Sequence, residues 1–257
     1  MDKRYNKEVF KVINYLNWLV VFFLGLSIGS FLNVIIYRLP LAIKGEDISL
    51  IHPNRSFCPA CKHQLSWYDL IPVFSYAIQY AKCRYCQANI AKQYPIIELT
   101  AGILSVLIVY QWGFTLQSVY LLALAYGLLT LFVIDVMHQL LPDIITLPLL
   151  WLGLLYSISY KEAESAIIGA IVGYLFLWGI YWGFKLIRNK EGMGYGDFKL
   201  TAALGAWLGW QALDQLLLIS SILSIAFVLL SKQSKHKKIA FGPFLILATV
   251  FIMITNH

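Results

Sequence analysis

Charged residues are scarce in this 257-residue sequence: Asp, Glu, Lys and Arg make up 13% of it, and only 13 residues are acidic. Soluble domains carry about 25% charged residues. That shortage excludes an ordinary soluble fold, and with it a basic soluble domain that binds nucleic acid. Cysteine is nearly absent, with four residues, too few for a small secreted scaffold held by disulfides. The polar, apolar-poor composition of disordered chains is missing as well. Hydrophobic sequence fills the chain instead: 60% of residues are apolar and the mean hydropathy is +0.70. These residues come in long blocks, which makes the chain an all-α polytopic membrane protein whose constant partner is the lipid bilayer. The formal net charge of +7 then matters for which side of the bilayer the basic residues occupy.

A spanning helix needs about 20 mainly apolar residues. The first candidate is residues 17–37, after an N-terminal tail of residues 1–16. The run is too long for a signal-peptide core, and no small-residue cleavage site follows it. Polar sequence from Arg38 to about residue 94 carries all four cysteines, and residues 95–257 are almost wholly membrane domain. Helices are expected at about 95–112, 117–135, 144–160, 165–187 and 239–255. Residues 200–230 would measure about 46 Å as one helix, too long to span. A break at Gly209-Trp210-Gln211 and Asp214 divides them into helices of about 198–210 and 213–230. About eight spans result.

Charge supports that count. With the cysteine loop inside, 15 of the 20 Lys and Arg residues fall on the cytosolic side. They comprise seven in the loop, then Lys185, Arg188, Lys190 and Lys199, then Lys232, Lys235, Lys237 and Lys238. Lys161 and the tail residues Lys3, Arg4, Lys7 and Lys11 lie outside. A single span at 200–230 would export the Lys-rich segment, against the positive-inside tendency.

Cys58-Pro-Ala-Cys61 and Cys83-Arg-Tyr-Cys86 form two Cys-x-x-Cys pairs separated by 21 residues. Each pair can make a tight knuckle, and two knuckles can close a tetrahedral four-sulfur zinc site. The alternatives are disulfides or unrelated thiols, and a cytosolic loop disfavours disulfides. Four sulfurs leave no open position for water, so such a zinc is structural.

The scarce acids near the membrane are Glu98, Asp135, Asp143, Asp197 and Asp214. Carboxylates in or beside spans are costly and become functional candidates. Parity places Asp135 at the end of the third span and Asp197 at the start of the sixth. Both then lie on the cytosolic side, where they can face each other. Two neighbouring carboxyls share a proton, so one can activate water while the other donates a proton, as in an aspartic protease. Helix capping is the plainer reading for Asp143 and Asp197. Glu98 reads as a polar contact within the bundle, and Asp214 as an ordinary residue near a helix end.

Gly25-Leu-Ser-Ile-Gly29-Ser-Phe-Leu-Asn33-Val-Ile-Ile-Tyr37-Arg38-Leu-Pro40 resembles the N-terminal signature of type IV prepilin peptidases. The two Cys pairs, Ser66 to Pro72, Tyr94 to Glu98, Ile134 to Asp143, and Gly194-Tyr-Gly-Asp197-Phe-Lys199 are similar to further motifs of that family, in the same order. The resemblance implies a Gly-x-Gly-Asp aspartic protease of the bacterial inner membrane. Such an enzyme cleaves the leader from prepilins and pseudopilins at the cytosolic face. It implies Asp135 and Asp197 as the catalytic pair, and Cys58, Cys61, Cys83 and Cys86 as zinc ligands. It also implies N-methylation of the new N-terminus with S-adenosylmethionine. No Gly-x-Gly-x-x-Gly fingerprint opens a βαβ unit here, so the methyl donor needs a site of another kind, on the cytosolic loop or at the membrane boundary. Two alternatives remain from the residues alone. One is a transporter coupled through its carboxylates, which would place the acids near mid-span. The other is a non-enzymatic pilus or secretion assembly factor with a zinc docking loop.

Overall fold

Lipid offers no partner to backbone N–H and C=O groups, so apolar blocks of this length satisfy them internally as helices. The computed structural model describes residues 2–45, 55–188, 193–231 and 239–255, with side chains from residue 16 onward. Lys190, Lys232, Lys235, Lys237, Lys238 and the side chains of the basic tail lie outside the described residues. No strand is present among the described residues. Two isolated bridges, Phe57 with Gln64 and Lys82 with Asn89, are the only β pairings there.

The elements in order are α1 (Asp2–Ile43), α2 (Phe74–Ile78), α3 (Gln93–Trp112), α4 (Leu116–His138), α5 (Asp143–Tyr160), α6 (Ala163–Arg188), α7 (Tyr195–Leu208), α8 (Leu213–Leu230) and α9 (Gly242–Thr255). Apart from α2, these eight long helices stand where spans were expected. Six are long and apolar enough to cross a membrane by themselves. The other two, α7 and α9, have 14 residues each, or about 21 Å of rise against a hydrocarbon core of about 30 Å.

The expected break at Gly209 is present. Gly209 adopts φ +87°, which only glycine reaches without strain, and a short 3-10 turn then leads into α8. The first helix departs from expectation at both ends. It begins at Asp2, and it continues past Tyr37 and through Pro40 to Ile43. Its stop is Gly45, at φ +80°, where the Lys44 and Gly45 N–H groups bond back to Pro40 and Ala42 carbonyls.

The chain divides into two compact units, Met1–Leu129 and Thr130–His257, and the division falls within α4. In the first unit α1 packs along α3. A Cβ on Gly25 would sit 2.8 Å from the Gly102 Cα, and one on Gly29 would sit 2.7 Å from the Glu98 Cα. This Gly-x-x-x-Gly pair permits the close backbone approach that helix association in lipid exploits.

The second unit is centred on α7, which packs on both α5 and α6. Trp207 is fully buried and donates through Nε1 to the Leu149 carbonyl at 2.8 Å. Ser157 Oγ donates to the Ala206 carbonyl at 3.0 Å. Lys161 Nζ donates to the Trp207 carbonyl at 3.1 Å, and burial pulls the Lys161 pKa down. On the other side, Gly169 and Gly205 meet backbone to backbone. A Cβ on either would collide with the other's carbonyl, and one on Gly173 would lie 2.9 Å from the Thr201 carbonyl oxygen. Replacing Gly205 with Leu is therefore expected to wedge α6 from α7. The cost should be about 3 kcal/mol, the upper end for overpacking, since backbone cannot swing aside. Thermal unfolding in detergent measures it, and an unchanged midpoint would refute the close contact.

Candidate active site and metal centre

Asp135 lies one turn before the end of α4, and Asp197 in the first turn of α7. Both are buried, at 4% and 8% exposure. The fold brings them within electrostatic reach of each other, although 62 residues separate them in sequence. Asp197 stands third in its helix, where an acid can reach back to the N-cap. The backbone N–H of Gly194 donates to its carboxyl group. The N-cap position of α7 is Gly194 and not Asp197, which lies inside the first turn.

Two residues close this site that sequence reasoning did not single out. The backbone N–H of Gly242, at the start of α9, is directed at the Asp135 carboxyl group. A Cβ on Gly242 would collide with Asp135 Oδ2. That oxygen is buried and has no hydrogen-bond partner among the described residues. Leu141, in the α4–α5 connection, fills the space beside Gly196. A Cβ there would lie 2.7 Å from the Leu141 Cβ. The signal for Gly242 was available in Gly242-Pro243, since Pro is favoured in the first turn of a helix and a helix start carries positive partial charge.

The other acids fall into separate roles. Asp143 opens α5 without making a cap bond. It pairs instead with Lys199, whose Nζ donates to both carboxylate oxygens at 2.8 and 2.6 Å. The pair is substantially exposed, so Asp143→Asn is expected to change stability by less than about 1 kcal/mol. Denaturant unfolding checks this. Asp214 is exposed and bonds the N–H of Gln215 locally. Glu98 is buried and accepts the Val73 N–H of the cysteine loop at 2.8 Å.

All four cysteines converge. Their sulfurs lie within 4.8 Å of one another, and none is in a disulfide. The Cys58 and Cys86 sulfurs are 3.9 Å apart, close to the edge of about 3.8 Å in a tetrahedron with metal–sulfur bonds of about 2.3 Å. Matching local turns build the cluster. Cys58 N–H donates to His63 O and Lys62 N–H to Cys58 O, just as Cys83 N–H donates to Ala88 O and Gln87 N–H to Cys83 O. Lys62 and Gln87 each follow the second cysteine of their pair at φ near +60°. The donor set fits a metal ion. At Cys86 the Ala88 backbone bond pulls the thiol down, but desolvation and the three neighbouring sulfurs push it up to about 11. A divalent cation favours the thiolate forms, so metal binding displaces protons and weakens as pH falls.

Two family models match the chain, one over each half. Residues 23–112 match the family model described as the bacterial peptidase A24 N-terminal domain. Residues 122–229 match the model of the type IV leader peptidase family. A prepilin leader peptidase/N-methyltransferase of Stutzerimonas stutzeri is 44% identical over 249 residues, covering 88% of this chain and 86% of that protein. A protein of the same name from Pseudomonas aeruginosa is 43% identical with the same coverage. One from Klebsiella pneumoniae is 48% identical over 204 residues, covering 78% of this chain and 89% of that protein. No solved structure matches the chain. With relatives of this similarity aligned over most of their length and its own, the chain belongs to the type IV leader peptidase family.

Proposed function

We propose that this protein is an aspartic endopeptidase that removes the leader from type IV prepilins and pseudopilins at the cytosolic face of the bacterial inner membrane. It then methylates the new N-terminal amine. The observation that carries the reading is the pair of buried carboxyls from opposite ends of α4 and α7. Asp135 and Asp197 are the catalytic dyad. With one proton between them, the ionised carboxylate takes a proton from water as its oxygen attacks the scissile carbonyl. The protonated partner gives its proton to the amide nitrogen as the C–N bond breaks. A prepilin with a basic leader and an apolar helix presents its scissile bond at the cytosolic surface, where the positive-inside distribution of Lys and Arg places both aspartates.

Cys58, Cys61, Cys83 and Cys86 hold a structural zinc in residues 38–94, the region of the methyltransferase activity, while residues 95–257 form the protease membrane domain. S-adenosylmethionine supplies the methyl group. The amine lone pair forms the N–C bond as the C–S bond breaks, its electron pair leaves with sulfur, and the nitrogen loses a proton. The reading is tested by incubating the purified full chain with a prepilin and weighing the product by mass spectrometry, with and without S-adenosylmethionine. Cleavage in both samples and a gain of one methyl group only with the donor are expected. An intact prepilin would sink the peptidase reading, and an unmodified amine under both conditions would sink the methyltransferase one.

A further inference from the structure

We propose that a cavity of about 590 Å³ in the first unit, walled by α1, α3 and the cysteine loop, binds the methyl donor S-adenosylmethionine, with Asn33 accepting one of its N–H groups and Glu98 compensating its positive charge. The inference rests on the methyltransferase reading above and assigns its site. The volume lies in the range of small-molecule pockets, about 300–1,000 Å³, and such pockets are mainly apolar with a few convergent polar groups.

Asn33 supplies the first of those groups. It is 3% exposed and lines the cavity. Its Nδ2 donates to the Tyr94 carbonyl at 3.1 Å, which settles which way the amide faces. Its Oδ1 is left buried with no partner among the described residues. An unpaired buried acceptor costs about 1–3 kcal/mol, and a ligand N–H removes that cost.

Glu98 supplies the second. Its carboxylate accepts from Val73 N–H and the Ser30 hydroxyl, with no ion-pair partner among the described residues. Asp69, also on the cavity wall, is already compensated by Arg84 at 3.2 Å and by bonds from Ser66 N–H and Gln79. A bound cation would favour the ionised form of this buried carboxyl, which burial alone opposes.

Ring faces complete the match. Tyr37 and Tyr76 line the same cavity, and aromatic faces attract cations and stack on nucleobases. A sulfonium nucleoside with a free amine offers the cation, the N–H donors and the base together. A bare metal ion, which seeks six or more oxygens, has no use for these apolar walls. Sequence register explains how the groups converge. Ser30, Asn33 and Tyr37 stand at i, i+3 and i+7 of α1, one helical face. The Gly29 approach to the Glu98 backbone holds that face against α3.

The test measures binding to the purified full chain in detergent by equilibrium dialysis, using S-adenosylmethionine and its uncharged thioether product, S-adenosylhomocysteine. Asn33→Leu is expected to weaken both about tenfold, as one lost hydrogen bond would. Glu98→Gln is expected to weaken the sulfonium about tenfold and the thioether less than twofold. Ultraviolet crosslinking of labelled donor to the unaltered chain should mark peptides containing Tyr37 or Tyr76, and this arm holds even if a variant fails to fold. Unaltered affinity in both variants, or label confined to residues 130–257, would overturn the cavity assignment. Failure of the unaltered chain to methylate its cleaved product would instead remove the functional reading on which the assignment stands.

Discussion

Asp135→Asn and Asp197→Asn are each expected to lower the rate of leader cleavage by about 10²–10⁴-fold, the range for removing a general acid or base. The substitution keeps shape and polarity, so the N–H groups of Gly242 and Gly194 still face an oxygen at residues 135 and 197. What disappears is the ability to take and return a proton. The loss should therefore fall on kcat, with KM nearly unchanged. The double variant should be little worse than either single one, because the two groups act as a unit. Cleavage of a purified prepilin, followed by mass spectrometry, measures all three variants, and circular dichroism checks that their helices remain. Wild-type cleavage by either single variant would exclude the dyad.

Cys58→Ser and Cys83→Ser are each expected to reduce bound zinc from about one per chain to near zero. A serine hydroxyl is a poor replacement for a thiolate, and both positions are buried at the centre of their knuckles. The binding energy of a structural zinc, about 10–16 kcal/mol in small zinc domains, is also folding energy for its loop. Residues 55–92 contain only short helical turns and two isolated bridges, so little else holds them. Metal loss should make this segment the first to be cut in limited proteolysis. Elemental analysis gives the zinc content, and unchanged metal in both variants would refute the four-sulfur site.

Much of this was legible in the sequence because its signals are local. Blocks of apolar residues mark spans, since every turn in lipid must face lipid or another helix. Gly209 marked the break before α8 because a positive φ is a property of one residue, and the two Cys-x-x-Cys pairs announced their cluster through spacing. Other features depended on which backbones approach one another. Nothing local tells that Gly169 meets Gly205, or that α1 lies against α3 through Gly25 and Gly29. Asp143 read as a cap because it precedes a helix. Its partner Lys199 is 56 residues away, and only the packing of α5 on α7 brings them together.

The sequence by itself determined the class of protein, the order of its helices, its four paired cysteines and the short list of acids near the membrane. All of these follow from composition, spacing and parity. Tertiary structure alone decided which acids meet, that the start of α9 closes over Asp135, and that Asn33 and Glu98 share a cavity wall. The physical reason is that helix spans set only the ends at which side chains emerge. Which of those ends become neighbours depends on how closely the backbones pack, and here small residues at the contacts permit that approach.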